Sequence, residues 1–569
     1  MPYRSYFSSD ATASVDSPDY QIFYRTEKNW NDFGYKFRVA IQFFRESKKI
    51  TTLNGYLIPL VNGKIFLDID RWISLLREQK PTDTLDFFSI LESEDSYRRL
   101  RDKSNSKDEF LARLAAMKDL VFERNVSARP SQNFESVLKS EEFRLGVLRS
   151  PETYLAFNRA GRLLYAEPIP LESEAAVSFR FQTLLRGFEA MHDVRIAFSD
   201  ESETGFNERV HAFIGINGSG KSRLLREIII QIGRERNRQI ETVFLNNDES
   251  FATDSRFETP VRCNRVLVFS SDYNDSFPTG VRSDSSFEYL YFNLISDKAQ
   301  GALSLSRMMI DVIRMRDLIN GSTRFSIFRS ALEDYIDIEH LLLPLKTGAD
   351  LPTAIIDLDA KGSKWIRASA LYNLNEERLL RVSADVDDEL DPLIVDAGNS
   401  EIVLSSGQRV YMRFALQCLS FIDAASLLIL DEPETHLHPN LICEFVDFLY
   451  KIMSATRSVA LIATHSSFVV RELPRQCVHI HKLEERKVTI ASPRLQTLGA
   501  SIDSICQFVF EDGSATKYHR RVALDIASRN TEFSDVLSSF KNQLNTEMLI
   551  EIRDAMKETD TNTGEVDVD

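Results

Sequence analysis

Gly215-Ile216-Asn217-Gly218-Ser219-Gly220-Lys221-Ser222 follows the apolar run Val210 to Ile214 and leads into Ser222 to Arg236, where Leu224, Leu225, Ile228, Ile229 and Ile232 recur at helical spacing. The octapeptide fits G-x-x-x-x-G-K-[ST] in the strand-to-helix setting that gives this pattern its meaning. Glycines let the backbone curl so that several N–H groups converge on a phosphate, and the following helix adds the positive end of its dipole. In such a loop Gly215, Asn217, Gly218, Ser219 and Gly220 form the cradle, Lys221 bridges the β- and γ-phosphates, and the Ser222 hydroxyl ligates Mg2+. The bland alternative is a flexible glycine loop, since an eight-residue pattern does arise by accident.

A second anchor lies downstream. Ser426 to Leu430 is an apolar strand that ends in Asp431 and Glu432. Both acids would therefore stand at the carboxyl edge of a sheet, where parallel sheets bind their ligands. Asp431 suits the Mg2+ shell, and Glu432 suits a general base that orients an attacking water. Alone, two adjacent acids read as surface polarity; the apolar run and the phosphate loop together change that reading. A further buried-strand run, Ser458 to Ala463, is followed by Thr464-His465-Ser466.

Leu404-Ser405-Ser406-Gly407-Gln408 lies 26 positions before Asp431, counted from Ser405, and resembles the L-S-G-G-Q signature of ABC-type ATPases, with Ser406 in place of the usual glycine. In that family the signature of one head closes over the γ-phosphate held by another. The resemblance thus implies that Ser405, Gly407 and Gln408 act in trans and that two copies form a homodimer through the ATP sites. Glu434-Thr435-His436-Leu437-His438-Pro439 resembles the D-loop of the RecF, SMC and OLD branch. His436 and His438 invite a metal reading, but a helix-starting Pro439 explains the segment as an interface loop. His465 resembles the switch histidine that senses γ-phosphate. Family order puts a Q-loop near Phe269 to Asp275, where no glutamine stands.

As a set covering residues 177 to 482, these motifs are most similar to OLD-like ATPases and to the PtuA-type ATPases of Septu and retron-associated antiphage systems. The resemblance implies an α/β fold: an ABC-type P-loop ATPase head with an inserted helical lobe. It also implies ATP and Mg2+ as cofactors, hydrolysis to ADP and phosphate, and a regulatory role over a partner nuclease effector of the HNH type. A reverse transcriptase and noncoding RNA complex is a further partner it suggests. An OLD nuclease would add a Toprim domain. Phe508-Val509-Phe510-Glu511-Asp512-Gly513 is a faint echo of one, Asp567-Val568-Asp569 matches only as letters, and about ninety residues beyond the head are few for that domain. No nuclease activity is expected in this chain. The alternative is an SMC- or RecF-like DNA-repair ATPase that clamps DNA directly.

Outside the motifs the chain divides by pattern. Residues 1–175 read as an N-terminal α+β module of unassigned role. In it Tyr35, Phe37, Val39, Ile41 and Phe43 alternate with polar residues, a hairpin forms about Asn62-Gly63, and helices dominate from Thr84 to Leu148. Residues 176–274 hold the first part of the head, including strands at Val177 to Gln182 and Val194 to Phe198. Residues 275–400 form the inserted lobe, with a helix over Ala302 to Ile319, and residues 401–482 complete the head. Residues 483–569 are a mixed tail ending in an acidic, unstructured stretch from Glu558.

At 569 residues, 43% of them hydrophobic, the chain can bury several cores. A net charge of −16 opposes general coating of nucleic acid. Direct DNA contact would need local patches such as Lys517, His519, Arg520 and Arg521, or Arg307, Arg314 and Arg316, and a solvated helix face is the simpler reading of each. Five scattered cysteines, with no C-x-x-C pair, fit reduced thiols. With no apolar leader and no apolar run of spanning length, a cytoplasmic protein without membrane segments is expected.

Overall fold

The structure, a computed structural model, describes residues 3–8, 21–27, 34–46, 48–78, 84–127, 133–164, 178–198, 208–236, 254–259, 261–263, 265–271, 277, 288–295, 304–319, 321–334, 336, 338–348, 357–358, 364–387, 390–395, 401–508, 518–529, 532–540 and 543–563. The region expected to carry a Q-loop beyond Ser271, the Val509 to Gly513 echo, the Asp567 to Asp569 triplet and the side chains of Lys517, His519 and Arg520 lie outside these residues. Among the described residues no helix is long and apolar enough to cross a membrane.

The head is built on a seven-stranded sheet in the order Glu288–Asn293, Arg265–Ser270, Ser426–Asp431, Val459–Thr464, Val210–Gly215, Val478–Glu484, Lys487–Ala491. All neighbours are parallel except the last pair. The four strands from Arg265–Ser270 to Val210–Gly215 are buried at every position, as parallel strands must be when both faces are covered. The register sets Leu430 beside Ile462 and Asp431 beside Ala463, with Thr464 beside Ile214. Three strands therefore end together, and the residues that follow them share one edge.

One face is covered by the helix Lys221–Arg236. Its Leu224, Leu225, Ile228 and Ile229 join Val266, Val268, Ile429 and Leu461 in a core that also takes Phe179, Phe181, Val194 and Ile196. Those last four come from a separate antiparallel sheet ordered Arg256–Phe257, Ser178–Thr183, His192–Ala197. The strands expected at Val177 to Gln182 and Val194 to Phe198 thus pair in a layer of their own, while Val210–Gly215 belongs to the central sheet. On the other face lie the helices Ser406–Phe421 and Pro439–Thr456, where the Phe414 ring stands 4.9 Å from Phe269 and 4.7 Å from Phe445.

The N-terminal module carries a six-stranded sheet of its own, with Arg4–Ser8, Gln21–Thr26, Arg38–Arg45, Lys48–Val61 and Lys64–Ile65 in succession and Leu85–Leu91 added to Lys48–Val61. Asn62 (φ 52°) and Gly63 (φ 77°) form the two-residue turn, with Leu60 opposite Ile65. The turn works because left-handed residues match the twist of the strands they join. Leu85–Leu91 falls where the sequence suggested helices, because a short apolar run reads equally as a buried strand or helix segment.

The inserted lobe is not simply helical, as expected, but mixed. It holds a five-stranded antiparallel sheet, in the order Asp357–Leu358, Lys364–Arg367, Leu341–Pro344, Leu393–Val395, Glu401–Ile402, beside the helices Leu305–Arg314, Arg324–Leu332 and Glu376–Asp385. Its strands have two to four residues, too short for alternation to register. The helix expected over Ala302 to Ile319 begins only after Ser304, whose hydroxyl accepts from the Arg307 N–H, and ends before Met315. Arg307 pairs with Asp311, Arg314 donates to the Leu148 carbonyl, and Arg316 donates to the carbonyls of Tyr372 and Leu374. These arginines are tied into the fold rather than spread along a solvated face.

The head runs through Ala491, past the boundary expected at 482. A second compact unit, Ser501–Asp569, shows only helices among its described residues, gathered on Ala523, Ala527, Val536 and Ile552. Its last helix reaches Thr563, so part of the acidic end is ordered rather than unstructured.

A Cβ on Gly55 would stand 2.5 Å from the Ile90 carbonyl oxygen and 2.9 Å from the Ile41 side chain. Gly55→Ala should therefore force two strands of the N-terminal module apart and cost about 1–3 kcal/mol. A clearly lower urea midpoint, read by tryptophan fluorescence with buried Trp72 as the local reporter, is the expected result.

Candidate functional site

The loop after Val210–Gly215 turns on three glycines with positive φ, Gly215 (155°), Gly218 (80°) and Gly220 (88°), a conformation that side chains disfavour. At Gly215 space forbids a side chain too, because a Cβ would stand 2.5 Å from the His481 carbonyl. Ser219 is buried and its N–H closes the turn on the Ile216 carbonyl at 3.2 Å, while Ile216, Asn217 and Gly218 are exposed. This is a cradle with its backbone turned to the open edge of the sheet.

Lys221, the first residue of the following helix, is 5% exposed. Its ammonium donates to the Gly215 carbonyl at 3.1 Å and the Ile216 carbonyl at 3.4 Å, and stands 2.9 Å from His465 Nε2. Burial pulls the ammonium down to about 8, against the opposing charges of Glu432, Asp431 and Glu434. Next to it, the Ser222 hydroxyl donates to Asp431 Oδ1 at 2.7 Å. A hydroxyl and a carboxylate from two elements, held this close, are the oxygen donors that a hard divalent cation takes.

Glu432 follows Asp431 in the left-handed region, with φ 48°, and its N–H donates to the Ala463 carbonyl at 2.9 Å. The turn swings its carboxylate to within 3.2 Å of His465 Nε2. The His465 contact, with Lys221 beside it, outweighs partial burial and holds the Glu432 carboxyl below its ordinary value. It is thus a carboxylate at neutral pH, ready to accept a hydrogen bond.

The sequence reading missed Glu434. Its Oε1 accepts from the Thr464 hydroxyl and from the His465 N–H at 3.0 Å, so this carboxylate pins the loop that presents the histidine. Burial raises its pKa. The signal was present in Asp431-Glu432-Pro433-Glu434, but spacing alone does not say which of three acids faces inward. Also missed is a set of buried imidazoles beneath the loop, His192, His211, His479 and His481, whose basicity burial lowers.

Ser405, Gly407 and Gln408 stand on a different element. Ser405 caps the helix Ser406–Phe421: its hydroxyl accepts from the Gln408 N–H at 3.3 Å, and Gln408 Oε1 accepts from the Ser405 N–H at 3.0 Å. Gly407 is buried against the D-loop, where a Cβ would stand 2.7 Å from the His436 carbonyl. Ser405 and Ser406 are exposed, as are Ile402 (45%) and Val403 (76%) just before them. His436 and His438 are also exposed; His438 precedes the helix that Pro439 begins. Among the described residues no cluster of three metal-ligating side chains occurs.

Residues 373–471, which span the signature, Asp431-Glu432 and His465, match the family described as "AAA domain, putative AbiEii toxin, Type IV TA system". Over 544 residues the chain is 23% identical to protein ea59 of Escherichia phage lambda, covering 91% of each. Similar solved structures include the SMC head domain from Thermotoga maritima, at 15% identity over 56% of this chain and 97% of that one, with a TM-score of 0.25. Another is cbiO1 from Clostridium perfringens, part of the ABC transporter complex cbiONQ, at 14% identity over 62% and 96%, with a TM-score of 0.25. The matched stretch is thus similar to an AAA domain, and the loop, Lys221 and the Ser222–Asp431 pair fit Mg2+ and a nucleoside triphosphate.

Two outcomes should follow from the Lys221 geometry. Lys221→Ala should abolish binding of a fluorescent ATP analogue, because the loop loses its fixed positive charge. In the native chain a phosphate raises the pKa of an ammonium that burial has lowered to about 8, so binding takes up a proton above that pH. Affinity should be flat from pH 7 to 7.5 and fall by up to about tenfold per unit above pH 8. A flat profile to pH 9.5 would count against Lys221 as the phosphate contact.

Proposed function

We propose that this chain binds Mg2+·ATP in the Gly215 to Ser222 loop and hydrolyses it at a site completed by a second copy. The observation that carries the reading is the convergence after three strand ends of two bonded sets, Lys221 with His465 and Glu432, and Ser222 with Asp431. Chemistry at a γ-phosphate needs a cation at the transferred group, an acceptor for the attacking water and a sensor beside both. Lys221 supplies the first, Glu432 the second and His465 the third. Bound Mg2+ would add charge neutralisation from Ser222 and Asp431.

A partner copy is argued from the signature. Ser405 is exposed at a helix N-terminus beside Ile402 and Val403, two apolar residues that a monomer would leave in water. A twofold pair that covers them places each Ser405 over the other chain's loop, and helix N-termini suit phosphate oxygens. Ile216, 54% exposed in the phosphate loop, supplies apolar surface on the opposing side.

We place the output of this cycle in a partner. A net charge of −16 opposes a DNA clamp, and of the two basic patches considered for DNA contact, Arg307, Arg314 and the exposed Arg316 each bond to other parts of the chain. The motif resemblance to PtuA-type ATPases, and a matched family whose description is that of a toxin–antitoxin system, support a regulatory subunit of an antiphage complex acting on an HNH-type nuclease effector. Salt-resistant DNA binding by the isolated chain at physiological ionic strength would favour the DNA-repair alternative.

The Glu432→Gln chain keeps the shape of the site but loses the proton acceptor. It should bind ATP with native affinity, turn over at least about 100-fold more slowly, and accumulate as an ATP-dependent dimer. Mixing Lys221→Ala chains with Ser405→Arg chains should restore part of the activity each has lost, since a mixed pair has one intact site. Subunit exchange without recovery would speak against a shared site, unless Glu432→Gln also proves dominant over wild type, the sign of two sites that must fire together.

A further inference from the structure

The N-terminal module offers no chemistry in its sequence, yet it grips the segment that holds the signature helix. Its helix Pro151–Arg159, with Leu148 just before it, meets the segment that runs from the helix Leu305–Arg314 to Asp317. The Tyr154 hydroxyl donates to Asp311, and the Arg314 guanidinium lies 4.1 Å over the Tyr154 ring while donating to the Leu148 carbonyl at 2.7 Å. Met315 is buried within the module's own apolar core. Arg159, itself buried, donates to Asp317 Oδ2 at 3.2 Å.

Asp317 then accepts from one edge of a second guanidinium. Arg324 Nε stands 3.1 Å from each carboxylate oxygen, and Nη2 donates to Oδ2 at 3.0 Å. Arg324 is 2% exposed, and it donates onward to the Leu419 carbonyl and, at 3.1 Å, to the Ile422 carbonyl. Arg265, from the strand beside Asp431, donates to Phe421 O. The Leu419 and Phe421 carbonyls belong to the last turn of the helix whose first residue follows Ser405, and Ile422 is the residue that ends it. They would otherwise be orphaned acceptors at the negative end of a helix dipole, and guanidinium forks satisfy both needs. Although burial works to raise it, Arg159 and Arg324 hold the Asp317 carboxyl down at about 2, so the chain of charges stays intact across the physiological range.

We propose that Arg159, Asp317 and Arg324 are positioning residues that set where Ser405 stands, so that the N-terminal module governs closure between two copies. The proposal rests on the shared-site reading above. A 16-residue helix is a rod about 24 Å long, so what fixes its buried end along its axis also fixes its exposed end. An ion chain of this kind is stiff, because shifting one member leaves another as an uncompensated buried charge. A ligand or partner that moves the module's helix therefore moves Ser405 towards or away from the opposing phosphate loop without touching the nucleotide.

The test uses the full chain with Arg159→Gln, Asp317→Asn and the double variant, each made alone and in the Glu432→Gln background. A fluorescent ATP analogue reads nucleotide affinity, sedimentation reads ATP-driven dimerisation, and steady-state turnover gives kcat and KM. The expected result is nucleotide affinity within twofold of the parent, dimerisation weakened at least tenfold and kcat lowered at least tenfold. The double variant should lose no more than Asp317→Asn alone, since both act on one path. If Asp317→Asn does not fold, Arg159→Gln decides, because it leaves Asp317 on Arg324. Native dimerisation and turnover in a folded Arg159→Gln chain would overturn the proposal, as would an equal loss of nucleotide affinity, the mark of general disruption. A Glu432→Gln parent that binds ATP and stays monomeric would instead sink the shared-site reading, and this proposal with it.

Discussion

Taking the Lys221 ammonium out of water costs hydration that two loop carbonyls and an imidazole return only in part, and that shortfall organises the site. The deficit is visible in a basicity lowered to about 8. Three carboxylates, those of Asp431, Glu432 and Glu434, oppose it, and they can do so because their strand, Ser426–Asp431, ends level with Val210–Gly215 across the intervening Val459–Thr464. A polyphosphate would complete what the protein leaves short. The sheet order, the glycine turns and the left-handed Glu432 all serve to keep one ammonium close to charge without neutralising it in contact.

Much of this was legible in the sequence for a physical reason. Buried parallel strands read as unbroken apolar runs, and Val210 to Ile214, Ser426 to Leu430 and Val459 to Ala463 have that character. Residues following such runs fall at a sheet edge, so the positions of Lys221, Ser222, Asp431, Glu432 and His465 followed from one-dimensional order. Glu434 did not follow, because its inward direction depends on the turn that Pro433 and the positive φ of Glu432 create together. The buried histidines were hidden for a similar reason: in Val478–Glu484 they alternate as polar residues do on an exposed face, and the face is instead covered. The lobe's sheet escaped because strands of two to four residues carry too few side chains to show a period.

Pairwise tertiary contacts were out of reach for the same cause on a larger scale. Arg159, Asp317 and Arg324 stand more than 150 positions apart at their extremes and sit on segments that gave no motif. Their alignment is a product of the fold, and so is the contact that brings Gly407 against the His436 carbonyl. That contact removes any freedom between the signature helix and the D-loop. In the pair proposed above, each copy would bring to its neighbour a surface already assembled from these two segments.

The left-handed backbone at Glu432 has a bearing on how such a protein would drift. Most side chains with a Cβ are strained there by about 1–2 kcal/mol, whereas glycine is at ease and asparagine and aspartate, which bond locally to the backbone, are less strained. Folding alone therefore rewards the loss of the very side chain proposed above to accept a proton from water. In a lineage where nucleotide binding still mattered but turnover did not, this position would be among the first to change, and it would change towards glycine or asparagine.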